Sequence, residues 1–155
     1  QELEAELIVI GDGPERATLE RLVEELGLGN KIKLLGPQPH SDMPGFFSSA
    51  DLAVFPSLME ATSVAALEAM ACEVPVAASR VGGLPEIISG DVGALFEPRD
   101  PLSLARVVVD LLKSADLDKL GKTARRRVID QWSNDRLADR HAEVYEEVIQ
   151  NRQAA

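Results

Sequence analysis

The sequence predicts an α/β fold, with a doubly wound, Rossmann-like parallel sheet. Short apolar runs without alternating polarity recur along the first two thirds of the chain, and such runs are typical of strands buried on both faces. Segments with helical spacing of apolar residues separate these runs, so strand and helix alternate four times or more. With 155 residues, 45% hydrophobic and 27% charged, the chain is expected to form a single domain over residues 1–155.

Five short apolar runs are predicted as strands, at residues 7–10, 32–35, 52–55, 75–79 and 93–96. Helices are predicted between them, at about residues 15–26, 42–49, 62–71 and 84–88. Pro14 suits the first turn of the first helix, and Gly27 suits its end.

The last third of the chain is predicted to be mainly helical. Asp100 is expected to cap a helix that has Pro101 just inside it and ends near Leu112. The next helix is predicted to reach about Gln131, and its three consecutive arginines, Arg125–Arg127, are interpreted as a solvated face.

A final helix is predicted to start near Ser133. Its apolar stripe at helical spacing consists of Leu137, His141, Val144, Tyr145 and Val148. Because no strands separate these extra C-terminal helices, they are expected to pack on one end or flank of the sheet.

Charge and composition exclude several classes of protein. A net charge of −10 argues against nucleic acid or an anionic membrane as a general partner, since either would favour a basic surface. The single cysteine, Cys72, is interpreted as a small core residue, and its solitude favours a reducing, cytoplasmic location. No apolar run approaches the ~20 residues that a membrane span needs. The histidines, His40 and His141, lie far apart and predict no metal site.

The segment from Pro56 to Cys72 is the most unusual part of the chain. It holds two carboxylates, Glu60 and Glu68, with seven residues between them. The neighbours of Glu68 are nearly all apolar, which is typical of a buried helix. Because a buried carboxylate without a partner is costly, Glu68 is expected to bind something.

The loops that follow parallel strands gather at one edge of a sheet, where ligands bind in open α/β folds. Here those loops comprise residues 11–14, 36–39, 56–63 and 80–85. A helix start at Thr62–Ser63 would suit a phosphate, because its backbone N–H groups and positive dipole end attract anions. Ordinary helix capping explains the same residues equally well at each loop taken alone.

Four segments in order, 7–14, 32–36, 50–71 and 75–88, resemble the carboxyl-terminal domain of a retaining glycosyltransferase of the GT-B fold, in family 4, the glycosyl transferases group 1. Residues 93–98 and 132–145 fit more weakly. The resemblance covers nearly the whole chain. It implies that the amino-terminal acceptor domain and the first part of this domain are absent, as the start at Gln1 also suggests.

The resemblance implies a role for each residue of the glutamate pair. Glu60 matches the catalytic glutamate that bonds the hydroxyls of the donor sugar, and Glu68 matches the one that bonds the ribose. Two carboxylate oxygens accept hydroxyl bonds well, which suits a diol. Glu86 is interpreted as structural. The other implied donor-binding residues are Ala61, Thr62, Ser63, Val64 and, near the nucleobase, Gly36 and Pro37.

The chain departs from the family pattern at three places. Ala61–Thr62–Ser63 stands where Gly-Phe-Gly is usual, which leaves the identity of the sugar open. Glu73 replaces the glycine after the helix and is expected to adopt a left-handed conformation. The Arg and Lys that neutralise the diphosphate in the family precede this chain. The nearest basic candidates, which do not match that pair, are Arg80, Lys31 and Lys33.

The implied function is the donor-binding half of an enzyme that transfers a hexosyl or N-acetylhexosaminyl group from a UDP, GDP or ADP sugar to an acceptor. No metal or other cofactor is expected, and the isolated fragment is predicted to be inactive. The expected partners are the nucleotide sugar and the missing amino-terminal domain, through which alone a peripheral membrane association would arise. Two alternatives are a non-catalytic GT-B-like scaffold domain and an epimerase- or phosphorylase-like GT-B half.

Overall fold

The computed structural model describes residues 4–153, without the side chains of Ser114 and Gln153. The strands are β1 (Leu7–Ile10), β2 (Ile32–Gly36), β3 (Ala53–Phe55), β4 (Val76–Ser79) and β5 (Gly93–Phe96). The helices are α1 (Arg16–Glu25), α2 (Met43–Ser48), α3 (Val64–Ala71), α4 (Leu84–Ile87), α5 (Pro101–Ser114), α6 (Leu117–Arg127) and α7 (Asn134–Gln153). A 3-10 turn, His40–Asp42, precedes α2, and a π-helical turn, Val128–Trp132, follows α6. This order confirms the predicted α/β class.

The chain divides into two compact units, one ending at Gly45 and one beginning at Phe46. In the first unit β1 and β2 pair in parallel, with Leu7 opposite Ile32 and Ile10 opposite Gly36. The guanidinium of Arg16 on α1 donates a 3.2 Å hydrogen bond to the carbonyl of Leu34. Eight apolar residues of α1 and the two strands line a groove of about 220 Å³: Leu7, Val9, Leu19, Leu22, Val23, Leu26, Ile32 and Leu34.

In the second unit β4 is the central strand of a parallel sheet with the order β3-β4-β5. Alternate residues of β4 face two separate cores. Val76 and Ala78 belong to a core built with α3, α4 and α6, while Ala77 packs with Phe96 and Leu111 of α5. Because helices cover both faces of this sheet, its strands are apolar, as predicted, except for Ser79 at the end of β4. The hydrogen-bonded strands thus form a two-stranded and a three-stranded sheet. The sequence does not predict this division, because apolar runs identify strands without specifying which ones pair.

Of the three consecutive arginines, Arg125 and Arg126 are exposed, as the interpretation as a solvated face predicts, whereas Arg127 is half-buried and structural. The side chain of Arg127, 19% exposed, donates to both carboxylate oxygens of Asp91 at 2.8 and 2.7 Å and to the carbonyl of Ile87. Arg125 donates to the carbonyl of Ala71, the last residue of α3. Arg125 thus reaches the end of α3 and Arg127 the turn between α4 and β5, and the local sequence reveals neither set of acceptors.

Several local predictions can be compared directly with the structure. Asp100 caps α5, accepting hydrogen bonds from the amides of Leu102 and Ser103. Glu73 has a φ of +64°, which confirms the left-handed conformation expected after α3. The apolar stripe of α7 lies open, because four of its five residues are more than half exposed: Leu137, Val144, Tyr145 and Val148.

Trp132 closes the π-helical turn and packs against the core that α3, α4 and α6 share. Its indole N–H is buried and has no hydrogen-bond acceptor within the described residues. Over residues 4–153, no helix combines the length and the apolar character that crossing a membrane requires.

Candidate functional site

Both glutamates of the pair follow β3 in the chain, Glu60 on the connection to α3 and Glu68 within α3. β3 ends at Phe55, and α3 begins at Val64, two residues after the predicted helix start at Thr62. Ser63 is the N-cap. Its side chain is 4% exposed, and its hydroxyl oxygen accepts a 3.4 Å hydrogen bond from the amide of Ala66. Ser63, which stands where the family pattern has glycine, therefore uses its hydroxyl to cap the helix.

Glu60 lies in the loop and Glu68 is the fifth residue of α3, and both are half-buried. The expectation that Glu68 is deeply buried among apolar neighbours is therefore only partly met. α3 buries one stripe, formed by Ala66, Ala69 and Met70, while Val64 on its first turn is 64% exposed. A helix with small apolar residues on every side can still be buried on one side only, as α3 is.

Three of the four residues that follow Glu60 are open to solvent. Ala61, Thr62 and Val64 are exposed, and only Ser63 is buried. The loop therefore presents backbone and side-chain atoms beside the amino end of α3, where the helix dipole favours an anion.

The loop that follows β4 lies directly against the Glu60 loop. Ser79, the last residue of β4, directs its hydroxyl to the carbonyls of Phe55, at 3.4 Å, and Ser57. The amide of Gly83 donates a 3.1 Å hydrogen bond to the carbonyl of Ala61. The sequence shows the glycine turn after β4 but assigns it no role, and it does not single out Ser79.

Two of the three basic candidates for the diphosphate are already ion-paired. Nε of Arg80 lies 3.1 Å from a carboxylate oxygen of Glu97, the residue after β5. Lys33 pairs with Glu6 in the first unit. Glu86, in the first turn of α4, is exposed. This position suits a structural role, because the helix dipole stabilises a negative charge near the amino end of a helix.

Gly36 and Pro37, the residues predicted near the nucleobase, lie in the first unit, at the end of β2. Gly36 is buried with a φ of +73°, and its carbonyl accepts a 2.9 Å hydrogen bond from the amide of Gly11. Pro37 is exposed. The loops after β1 and β2 are therefore joined, as the parallel pairing of these two strands predicts.

Side chains that could bind a metal ion do not cluster in residues 4–153. No group of three or more His, Cys, Asp or Glu side chains there is arranged to hold one. Cys72, the C-cap of α3, is a half-buried free thiol packed against the core of the second unit.

A family model described as glycosyl transferases group 1 matches residues 1–127. The chain is 34% identical over 152 residues to an N-acetyl-alpha-D-glucosaminyl L-malate synthase from Bacillus anthracis, covering 97% of this chain and 39% of that protein. The chain thus spans about two fifths of the length of this relative.

Solved structures that share the fold of this chain support the same family. A sucrose-phosphate synthase from Thermosynechococcus elongatus superposes with a TM-score of 0.82 at 31% identity, over 94% of this chain and 39% of that one. The C-terminal domain of a glycosyl transferase group 1 family protein from Francisella tularensis gives a TM-score of 0.75 at 28% identity, over 83% of this chain and 70% of that one.

Proposed function

Because this chain belongs to the glycosyl transferases group 1 family, we propose that it is the half of such an enzyme that binds the nucleotide-sugar donor. The observation that carries the proposal is the placement of Glu60 on the loop after β3 and of Glu68 on α3, on either side of the amino end of that helix. The likeness to a structure described as a C-terminal domain supports the same assignment. The full enzyme would transfer a hexosyl or N-acetylhexosaminyl group with retention of configuration.

Each glutamate has a separate task in this proposal. Glu60 accepts hydrogen bonds from hydroxyls of the sugar, and Glu68 accepts them from the ribose diol. Glu68 lies five residues after the Ser63 cap, a rise of roughly 7.5 Å along the helix. This separation leaves room for the diphosphate at the amino end of α3, where the first-turn amides favour negative charge.

Catalysis in the full enzyme would depend on positioning and on stabilising the charge that develops as the diphosphate leaves. The acceptor would bind to the remainder of the protein, since this chain spans about two fifths of its curated relative. We therefore propose that the isolated chain binds donor without transferring sugar, and that the reaction needs no metal. Turnover of UDP-N-acetylglucosamine by the 155-residue chain would contradict this proposal.

The experiment that tests donor binding is an NMR titration of the labelled chain with UDP, GDP, ADP and UDP-N-acetylglucosamine. We expect one nucleotide to shift resonances around α3, and Glu68→Ala to weaken its binding by about tenfold, the effect of losing one charge-assisted hydrogen bond. Glu147→Ala is the matched control, because it removes the same charge from an exposed position on α7. Equal affinity in Glu68→Ala and Glu147→Ala would overturn the assignment of Glu68.

A second candidate function is that of a non-catalytic, GT-B-like binding or scaffold domain. Ala61, Thr62 and Ser63 favour it, because they add side chains where the family pattern brings glycine amides close to the donor. The ion pair of Arg80 with Glu97 is consistent with it as well. The absence of a response to every nucleotide in the titration would favour this candidate.

A further inference from the structure

We propose that Ser79 and the Gly82–Gly83 turn are positioning residues that set the place of the Glu60 loop and thereby the binding of the donor sugar. This inference rests on the proposed donor site. It assigns a role to the glycine turn after β4, and it predicts that sugar binding and nucleoside binding depend on different parts of the second unit.

The hydroxyl of Ser79 holds the chain just beyond the end of β3. The ladder between β3 and β4 ends with Phe55 opposite Ala78. Ser79, 1% exposed, then directs its hydroxyl to the carbonyls of Phe55 and Ser57, so pairing of the two strands continues past the ladder. Because a buried hydroxyl needs a partner, this bond fixes the backbone at the start of the Glu60 loop.

The glycine turn fixes the same loop at Glu60 itself. A Cβ on Gly82 would lie 1.5 Å from the carbonyl oxygen of Glu60, and a Cβ on Gly83 would lie 2.3 Å from that of Ala61. These neighbours are backbone atoms, which cannot rotate away as a flexible side chain can. Gly82 also has a φ of +52°, a conformation that side chains disfavour. Only glycine therefore allows this close approach of the two loops.

These contacts fall on the backbone carbonyls of Phe55, Ser57, Glu60 and Ala61. The carbonyl of Ala61 accepts a 3.1 Å hydrogen bond from the amide of Gly83. The direction of a side chain follows its backbone, so these contacts set where the carboxylate of Glu60 lies. Glu68 is held differently. It is carried by α3, whose place is set by the Ser63 cap and by the buried residues Ala66, Ala69 and Met70.

The test compares Ser79→Ala and Gly82→Ala with Gly90→Ala. Gly90 is a matched control, because a Cβ there would meet open space. Hydrogen exchange of the amides of residues 57–62 is measured first, without ligand. Dissociation constants for UDP and for UDP-N-acetylglucosamine are then measured by NMR titration. A Ser79→Thr variant, which keeps the hydroxyl, tests rescue.

We expect exchange at residues 57–62 to rise by about tenfold in Ser79→Ala and Gly82→Ala and to stay unchanged in Gly90→Ala. The affinity for UDP-N-acetylglucosamine should fall by about tenfold while that for UDP stays within about twofold, because Glu68 is undisturbed. Rescue in Ser79→Thr would support the role of the hydroxyl. If Gly82→Ala does not fold, Ser79→Ala alone carries the test, since it removes only the hydroxyl.

Unchanged exchange at residues 57–62 in a folded Ser79→Ala would overturn the inference. An equal loss of affinity for UDP and UDP-N-acetylglucosamine would overturn it too, because that result indicates a general loss of structure. If the variants exchange faster but the wild-type chain binds neither ligand, the anchoring of the Glu60 loop would be supported and the proposed donor site would be overturned. The two proposals therefore fail in distinguishable ways.

Discussion

The guanidinium of Arg127 binds both carboxylate oxygens of Asp91, at 2.8 and 2.7 Å, and so joins the end of α6 to the turn before β5. The hydroxyl of Ser89 donates to the same carboxylate at 2.6 Å. The hydrogen bond from the Ser89 hydroxyl and, to a lesser extent, Arg127 hold the pKa of Asp91 below its ordinary value.

Asp91→Asn should therefore lower the free energy of unfolding at neutral pH. We expect a loss of about 0.5–1 kcal/mol, because the carboxylate is more than half exposed and the pair is screened by water. Since the folded pKa is depressed, this stabilisation is present above the unfolded pKa of about 3.9 and is lost as pH falls through the lower, folded value.

Urea unfolding of both proteins at pH 7 and at about pH 2–3 measures this difference. Asp118→Asn is the control, because Asp118 is 90% exposed and lies 3.6 Å from Lys122, one turn along α6. A difference between wild type and Asp91→Asn that stays constant with pH would contradict the assignment.

Glu73→Gly should stabilise the chain. Glu73 has a φ of +64°, a left-handed conformation that costs a side chain roughly 1 kcal/mol and glycine almost nothing. The substitution also removes a 3.7 Å contact with Arg125, but both side chains are half exposed and the pair contributes little.

Glu73→Ala separates these two effects, because it removes the same ion pair and keeps a Cβ. We expect the glycine variant to unfold at higher urea than the alanine variant, by about 1 kcal/mol. Equal stability of the two variants would mean that the backbone is not strained there.

Asp100→Ala should lower the free energy of unfolding by about 1 kcal/mol. The carboxylate accepts hydrogen bonds from the amides of Leu102 and Ser103, at 3.0 and 2.9 Å, which lack partners within the helix. Asp100→Asn keeps an acceptor oxygen and should retain most of the stability. Thermal unfolding followed by far-UV circular dichroism measures both variants.

Glu60→Ala should discriminate between the two parts of the donor. The affinity for UDP-N-acetylglucosamine is expected to fall by about tenfold while that for UDP is unchanged, because Glu60 is proposed to contact only the sugar. Glu68→Ala should weaken both ligands. Competition titrations with the two ligands provide the measurement, and a loss of UDP binding in Glu60→Ala would contradict the division of roles.

The sequence predicted the order of strands and helices because apolar periodicity and glycine or proline breaks are local signals. β5 was predicted with the bounds that the structure has, Gly93–Phe96, and the other element boundaries moved by only a few residues. Asp100 and Glu73 were also predictable, because capping and the αL position after a helix depend on adjacent residues.

Long-range contacts could not be predicted in the same way. The partners of Arg127 lie 36 to 40 residues before it, and Ser79 reaches carbonyls 22 and 24 residues earlier. A run of arginines or one serine at a strand end carries no local sign of such partners. The donor-binding roles of Glu60 and Glu68 stay predictions, since they follow from family resemblance and from their place after β3.

Trp132 lies against the core of the second unit, and its position has a spectroscopic consequence. All six aromatic residues of the chain, four Phe, one Tyr and this Trp, occur from Phe46 onward. Fluorescence and near-UV circular dichroism therefore observe only the second unit, whereas far-UV circular dichroism observes α1, β1 and β2 as well. Melting curves from the two kinds of signal coincide if the units unfold together and separate if they unfold in turn.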